Sequence, residues 1–256
     1  MWKNARERNQ HPRLVCPRCR SADDGVLSVA FLEAAADRLV CPRCHSGYPV
    51  IDGVPIVLRN SDTWTPETGD DAALTRIFGH RDTGPLGDRV DAVVRRCDGD
   101  ILDMGCGGGA LYQRRDVTAI DWSLAMARAH GPSACVADAA DPPFEPARFD
   151  AVLLLNLLDT CANPRLVLAQ ADALLRRGGT LVVSCPYAWT DRAPVQERFS
   201  ADELLAALDG DNEAIGIRLR YQIESVEDPV LWRLRLSPRL VQEYACQLVV
   251  ARKAEA

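Results

Sequence analysis

From residue 100 onward, short apolar runs alternate with longer amphipathic stretches. The runs 100–104, 117–121, 134–137, 149–155, 179–184, 216–224 and 243–251 read as strands. Strands alternating with helical patterns predict a mostly parallel, seven-stranded α/β sheet with helices on both faces, Rossmann-like in plan. Upstream the pattern changes. Residues 48–58 alternate apolar positions around Asp52-Gly53 and read as a short hairpin. Residues 59–70 are polar, contain Pro66 and Gly69, and read as a linker. Residues 71–97 carry helical patches at 72–78 and 90–94, interrupted by Gly79, Gly84-Pro85 and Gly87. The chain thus divides into a small module over 1–60, a linker and helical segment over 61–98, and an α/β domain over 99–256.

Composition narrows the partners. The 256 residues are 47% hydrophobic and 26% charged, as in a globular protein. No run is long and apolar enough to span a bilayer, so no membrane partner is expected. The start, Met-Trp-Lys-Asn-Ala-Arg-Glu-Arg, leads into no apolar core and does not read as a signal peptide. The ten cysteines therefore read as thiols of a reducing compartment, the cytoplasm. The net charge of −6 is uneven: residues 1–60 hold nine basic and six acidic residues (+3), the rest 21 and 30 (−9). The acidic larger part argues against extended nucleic-acid contact, where phosphate neutralisation supplies most affinity. A small molecule or peptide is the expected ligand, and a homodimer is allowed.

Cys16-Pro17-Arg18-Cys19 and Cys41-Pro42-Arg43-Cys44 are two identical knuckles separated by 21 residues. Each presents two thiolates from one tight turn, and together they complete the tetrahedral sulfur shell that structural Zn²⁺ prefers. His45 adjoins the second knuckle, but four Cys suffice. With Tyr48-Pro49, Asp52-Gly53 and Pro55 following, the segment resembles the small zinc-binding family that activates methyltransferases, here fused to its enzyme. The resemblance implies a zinc ribbon that stabilises the enzyme or shapes the substrate entrance.

Ile101-Leu102-Asp103-Met104-Gly105-Cys106-Gly107-Gly108-Gly109 ends a strand in a Gly-rich turn, a setting for a nucleotide at the strand's carboxyl end. The spacing D-x-G-x-G-x-G resembles the first motif of class I S-adenosylmethionine (SAM) methyltransferases; NAD enzymes favour another spacing. Later motifs follow in order: Asp121 ending the second strand, Asp138-Ala139 after the third, Leu155-Asn156 ending the fourth, and 174–181 as the turn and strand beyond. The resemblance covers residues 99–256. It implies a SAM site in which Asp103, Gly105, Cys106, Gly107 and Gly109 surround the methionine end. Asp121 takes the ribose hydroxyls, Trp122 lies beside the adenine, Asp138 and Ala139 bind it, and Leu155 and Asn156 end at the methyl group. In small-molecule methyltransferases the segment before the first strand lids the pocket, which makes His80 and Arg81 candidates to face substrate. The remaining cysteines read as buried small residues, with Cys161 and Cys185 as candidates for the pocket wall.

Two stretches are narrower. Asn156-Leu157-Leu158-Asp159-Thr160-Cys161-Ala162-Asn163-Pro164 is similar to a loop of seven-strand protein-histidine N-methyltransferases. Ser184-Cys185-Pro186-Tyr187-Ala188-Trp189, with Glu197-Arg198-Phe199, resembles the methyltransferase module of ovothiol synthases, as does the hairpin carrying 227–233. Both relatives methylate an imidazole nitrogen. The resemblance implies Asp159 as the carboxylate that orients the ring, Asn156 as a positioning group and Tyr187 as pocket wall. The chain departs at Thr160, where the first family has Arg, at Phe199, where the second has Trp, and in lacking the sulfoxide synthase half. A different reading of Asp159 is a helix N-cap. Two other functions compete: an rRNA or tRNA base methyltransferase with a zinc-ribbon RNA-binding module, and a SAM-binding scaffold without catalysis.

Overall fold

The computed structural model describes residues 13–23, 26–60, 64–65, 83–114 and 116–255. Its centre is a seven-stranded sheet. The strands in chain order are β7 (Ile101–Met104), β8 (Thr118–Asp121), β9 (Ala134–Val136), β10 (Phe149–Leu155), β11 (Leu175–Cys185), β12 (Tyr221–Ser237) and β13 (Leu240–Lys253). In space they run β12-β13-β11-β10-β7-β8-β9. β9, β8, β7, β10 and β11 are mutually parallel. β13 is antiparallel to both its neighbours. The strand order reverses between β7 and β10, which opens a crevice at their carboxyl ends. All seven expected strands are present. The sixth is displaced, starting at Tyr221 and extending to Ser237, and the hairpin reverses at 238–239, so residues 227–233 lie within its first arm.

Among the described residues four α-helices flank the sheet: α1 (Gly84–Arg96), α2 (Leu124–His130), α3 (Pro164–Leu174) and α4 (Ala201–Leu208). Local chemistry sets their starts. Ser123 caps α2 by accepting from Met126 N–H, and Pro164 opens α3. Ser200 and Glu203 form a reciprocal capping box on α4. The Gly and Pro residues expected to interrupt the 90–94 helix instead begin it. Gly84 adopts φ +67°, Pro85 occupies the first turn, and Gly87 admits the Thr83 side chain, whose Oγ1 would lie 1.8 Å from a Cβ. The 72–78 patch, His80 and Arg81 lie outside the described residues, as does most of the 59–70 linker.

The N-terminal module is built of β1 (Ser21–Asp23), β2 (Val26–Ser28), β3 (Glu33–Ala34), β4 (Arg38–Val40), β5 (Gly47–Ile51) and β6 (Val54–Pro55). The expected hairpin is present: Ile51 pairs with Val54 across Asp52 and Gly53, both at positive φ. The module covers the open edge of the large sheet. Ile56 bridges Val136 in parallel, and Val57 N–H donates to the Val136 carbonyl at 2.8 Å. An edge strand left bare is a template for unwanted pairing, so this cover has a structural purpose. Leu14, Tyr48 and Val57 share one core with Phe144, Phe149 and Leu102 of the larger domain.

Candidate active site

A cavity of about 720 Å³ opens at the carboxyl ends of β7, β8, β9 and β10, within the size range of small-molecule sites. Every residue of the expected SAM site reaches it: Asp103, Gly105, Cys106, Gly107, Gly109, Asp121, Trp122, Asp138, Ala139, Leu155 and Asn156 all line its wall. None of the described residues before Thr83 does.

The Gly turn is shaped from beneath. Gly105 N–H and Cys106 N–H both donate to the Ile120 carbonyl, at 2.8 and 3.1 Å. Asp121 joins the turn from the side: one carboxylate oxygen accepts from Gly107 N–H and the other from Ser123 N–H, each at 2.9 Å. Gly105 has φ +75°, and a Cβ there would meet Leu157 Cδ1 at 2.6 Å. Gly107 has φ +50°, and a Cβ there would meet nothing within 4 Å. The turn therefore needs glycine for its shape and faces open space in which a ligand can approach the backbone. Asp138 accepts from Ala140 N–H at 2.8 Å, which fixes the loop after β9. Trp122 is 46% exposed, a large apolar face left on the cavity wall.

Asp103 is 1% exposed. Tyr112 donates its hydroxyl proton to Asp103 Oδ2 at 2.7 Å, and the same hydroxyl lies 2.9 Å from His130 Nε2. Asp103 Oδ1 has no partner. Burial raises the Asp103 pKa to about 7, Tyr112 pulls it back, and the Asp121 charge adds a smaller rise. Burial also lowers His130 to about 4, so that ring is neutral at physiological pH. Tyr112 and His130 escaped the sequence reading because nothing local links them; the fold alone brings them under the Gly turn.

The opposite wall is made by the segments after β10 and β11. Asp159 lies in a single turn of 3₁₀ helix at 158–160 and is 2% exposed. Its Oδ2 accepts from Ala188 N–H at 3.0 Å, whereas Oδ1 has no partner. Burial raises its pKa; the Ala188 N–H and the Cys185 thiol lower it by less. Asp159 caps no α-helix: Asn163 occupies that position before α3. Asn156, at φ +53°, accepts the Ser184 hydroxyl proton on Oδ1 at 2.8 Å, and its Nδ2 is unpartnered. A buried polar atom without a partner is costly, and two such atoms belong to residues of this one cavity wall.

Tyr187 corrects the sequence reading. Pro186 and Ala188 line the cavity, and Tyr187 between them turns to the other side. Its hydroxyl donates to Gln247 Oε1 at 2.8 Å, and its ring meets Trp189 at a tilt, with Trp189 in turn edge-to-face with Phe199. Cys185 is likewise absent from the wall, whereas Cys161 lines it with a thiol pushed up to about 12 by burial. On this side of the cavity the aromatic faces come instead from Trp232 and Tyr244, direct cross-strand neighbours on β12 and β13 with ring centroids 5.3 Å apart. An aromatic in each arm of the hairpin was the available signal.

In the module, the Sγ atoms of Cys16, Cys19, Cys41 and Cys44 all lie within 4.8 Å of one another. Cys16–Cys44 and Cys19–Cys41 are 3.8 and 3.7 Å apart. Four sulfurs about 2.3 Å from a tetrahedral Zn²⁺ would be spaced about 3.8 Å, so the donor set fits that metal. Among the described residues no other His, Cys, Asp or Glu group converges this way. Tyr48 Oη lies 3.1 Å from Cys16 Sγ, and His45 is exposed and outside the cluster. The module also grips the loop that carries Asp138. Val15 N–H donates to the Pro143 carbonyl at 2.8 Å, Arg20 donates to the Pro142 carbonyl and pairs with Asp141, and Arg59 pairs with Asp141 at 3.0 Å.

With this geometry in view, the comparisons with known proteins speak to the same domain. Residues 102–183 match the family model described as a methyltransferase domain. No curated protein sequence matches. Among solved structures, a protein of echinomycin biosynthesis, reported in work on converting a disulfide bond into a thioacetal group, aligns at 19% identity. It covers 69% of this chain and 85% of its own, with a TM-score of 0.50. A SAM-dependent methyltransferase from Thermotoga maritima, described as a candidate histamine N-methyltransferase, aligns at 16% identity over 68% of this chain and 91% of its own, with a TM-score of 0.41. A chain from the complex of a Haloferax volcanii methyltransferase activator with its methyltransferase partner aligns at 15% identity over 73% and 96%, with a TM-score of 0.45. At such identities only the first likeness bears on this chain, and it bears on fold. Residues 102–183 match a methyltransferase domain, and the α/β fold that surrounds them is the one shared with the echinomycin-biosynthesis protein.

Proposed function

We propose that this protein transfers the methyl group of SAM to an imidazole nitrogen of a histidine-derived small molecule or peptide. The observation that carries the reading is the buried carboxylate of Asp159, with one oxygen held by Ala188 N–H and the other unpartnered on the cavity wall. Neutral imidazole has one N–H donor and one nitrogen lone pair. An N–H donated to Asp159 Oδ1 fixes the tautomer and turns the other nitrogen toward the donor side of the cavity.

SAM supplies an electrophilic methyl carbon on a sulfonium. The ring lone pair forms the N–C bond as the S–C bond breaks, and that bond's electron pair stays on sulfur. The positive charge passes to the ring as imidazolium, which the Asp159 carboxylate stabilises, and the N–H proton then leaves through Asp159 to solvent. Asn156 Nδ2 donates to whichever ligand oxygen lies beside it. Asp103 Oδ1 suits the methionine ammonium, Asp121 the ribose, and Trp122, Asp138 and Ala139 the adenine. The four module thiolates hold a structural Zn²⁺.

Asp159→Asn keeps the volume and removes the charge. The expected result is a fall in kcat of about 10²- to 10⁴-fold, the usual range for a lost acid–base group, with S-adenosylhomocysteine affinity retained. Full turnover by that variant would overturn the reading.

A further inference from the structure

One cation stands out in the cavity. Four carboxylates line it, Asp103, Asp121, Asp138 and Asp159, against a single basic side chain among the described residues, Arg192. Arg192 is exposed and, like Arg96, Arg218 and Arg220, has no side-chain hydrogen bond or ion pair among the described residues; what sets it apart is its place on the cavity wall. Its position is tied to that of Asp159. Thr190 N–H and the Thr190 hydroxyl both donate to the Asp159 backbone carbonyl, at 3.0 and 3.3 Å. Ala193 N–H returns to the Thr190 carbonyl, closing a turn over Arg192, and Arg198 braces that turn from the Ala193 and Thr190 carbonyls. Two residues of chain span at most about 7 Å, so the Arg192 backbone stays close to the Asp159 turn, and both residues line the same cavity.

We infer that the methyl acceptor carries a carboxylate, which Arg192 binds while the ring N–H meets Asp159. This rests on the nitrogen-methylation reading above and narrows its substrate class. A planar guanidinium takes a carboxylate through two parallel hydrogen bonds, which fixes orientation as well as adding affinity. In a cavity otherwise lined by carboxylates, that contact admits an acid in one orientation: anion at Arg192, N–H at Asp159, reacting nitrogen toward the donor.

The test compares acids with their uncharged or cationic counterparts. Wild type, Arg192→Ala and Arg192→Lys are assayed for labelled methyl transfer from SAM to L-histidine and imidazolepropionate, and to histamine and 4-methylimidazole. The expected result is wild-type preference for the acids. Arg192→Ala should lose at least tenfold in kcat/KM on the acids, mainly through KM, with little change on the others. Arg192→Lys should recover part of the loss, and melting temperature and S-adenosylhomocysteine affinity should not move. Wild-type preference for the uncharged or amine set, an equal loss on both sets, or weakened S-adenosylhomocysteine binding, which would assign Arg192 to the donor's own carboxylate, each overturns the inference. If no imidazole is methylated, the imidazole reading fails separately, and binding decides the anion site. Saturable binding of imidazolepropionate or succinate to the S-adenosylhomocysteine complex, lost in Arg192→Ala, then sustains it; no binding overturns it.

Discussion

At the ends of β8 and β9 the cavity's carboxylates hold the protein's own backbone. Asp121 accepts from Gly107 and Ser123 N–H, and Asp138 from Ala140 N–H. Past β10 and β11 the polar atoms are left open: Asp159 Oδ1 and Asn156 Nδ2 are buried without partners, and Arg192 stands unpaired. A wall built for one invariant ligand can be fixed by its own hydrogen bonds, because a carboxylate has lone pairs to spare for that ligand. On the proposed function, the second wall leaves its strongest groups for the acceptor to satisfy. Asp103 lies between the two cases, with one oxygen held by Tyr112 and one open.

The sharpest way to separate the walls is to loosen only the first. The N-terminal module grips the loop after β9 by way of Arg20, Arg59 and Val15, and its Ile56 packs in one cluster with Cys106 of the Gly turn. Loss of the metal, through Cys41→Ser or a chelator, should lower the melting temperature by more than about 5 °C, since a bound structural zinc contributes folding free energy directly. One zinc per chain by elemental analysis, and weaker S-adenosylhomocysteine binding after its removal, are the accompanying expectations. Unchanged melting would break the structural-zinc assignment.

Next in size is Gly105→Ala. A side chain at φ +75°, with Leu157 Cδ1 at 2.6 Å, costs about 1–2 kcal/mol in backbone strain alone. Calorimetric titration should find donor affinity lowered about tenfold.

A pH series acts on Asp103. Its pKa of about 7 means that the ionised form, which a ligand ammonium needs, fills in between pH 6 and 8. SAM affinity should rise over that window by up to about tenfold per pH unit on its acidic side, and Asp103→Asn should flatten the profile. The apo protein runs the other way. A carboxyl raised by burial contributes most stability below the ordinary carboxylate range, and that contribution is lost as pH rises through 7. Smallest of all, Arg59→Ala removes a half-exposed pair to Asp141 and should weaken S-adenosylhomocysteine binding only two- to threefold, of order 0.5 kcal/mol.

The same contrast explains what could be read from the chain. The strands, the Gly turn, Asp121, Asp138 and the two Cys knuckles are local patterns: each obeys a backbone constraint or a ligand geometry within a few residues. The four thiols meet as their spacing implied. The wall past β10 and β11 is half legible in the sequence. Asp159 and Asn156 follow directly on β10 and line the cavity, whereas the motif around Tyr187 gives proximity and not direction; the alternation after β11 sends Pro186 and Ala188 inward instead. Trp232, Tyr244 and Arg192 reach the cavity through a hairpin register and a loop fold that no local pattern specifies. The helix before β7 was misjudged because Gly84, Pro85 and Gly87 signal a break, whereas contact with Thr83 and Arg233 makes them a helix start.

The proposed methyl acceptor is an imidazole nitrogen. The most direct test of this is a labelled-methyl screen of the purified protein with SAM over histidine, thiolated histidines, histidine-containing peptides and tRNA, with each product's methylated atom identified by mass spectrometry and NMR. The account predicts a methyl on a ring nitrogen of one or more imidazole compounds and none on tRNA. Label entering tRNA, or a carbon, oxygen or sulfur atom of the small molecules, while every ring nitrogen stays bare, would contradict it.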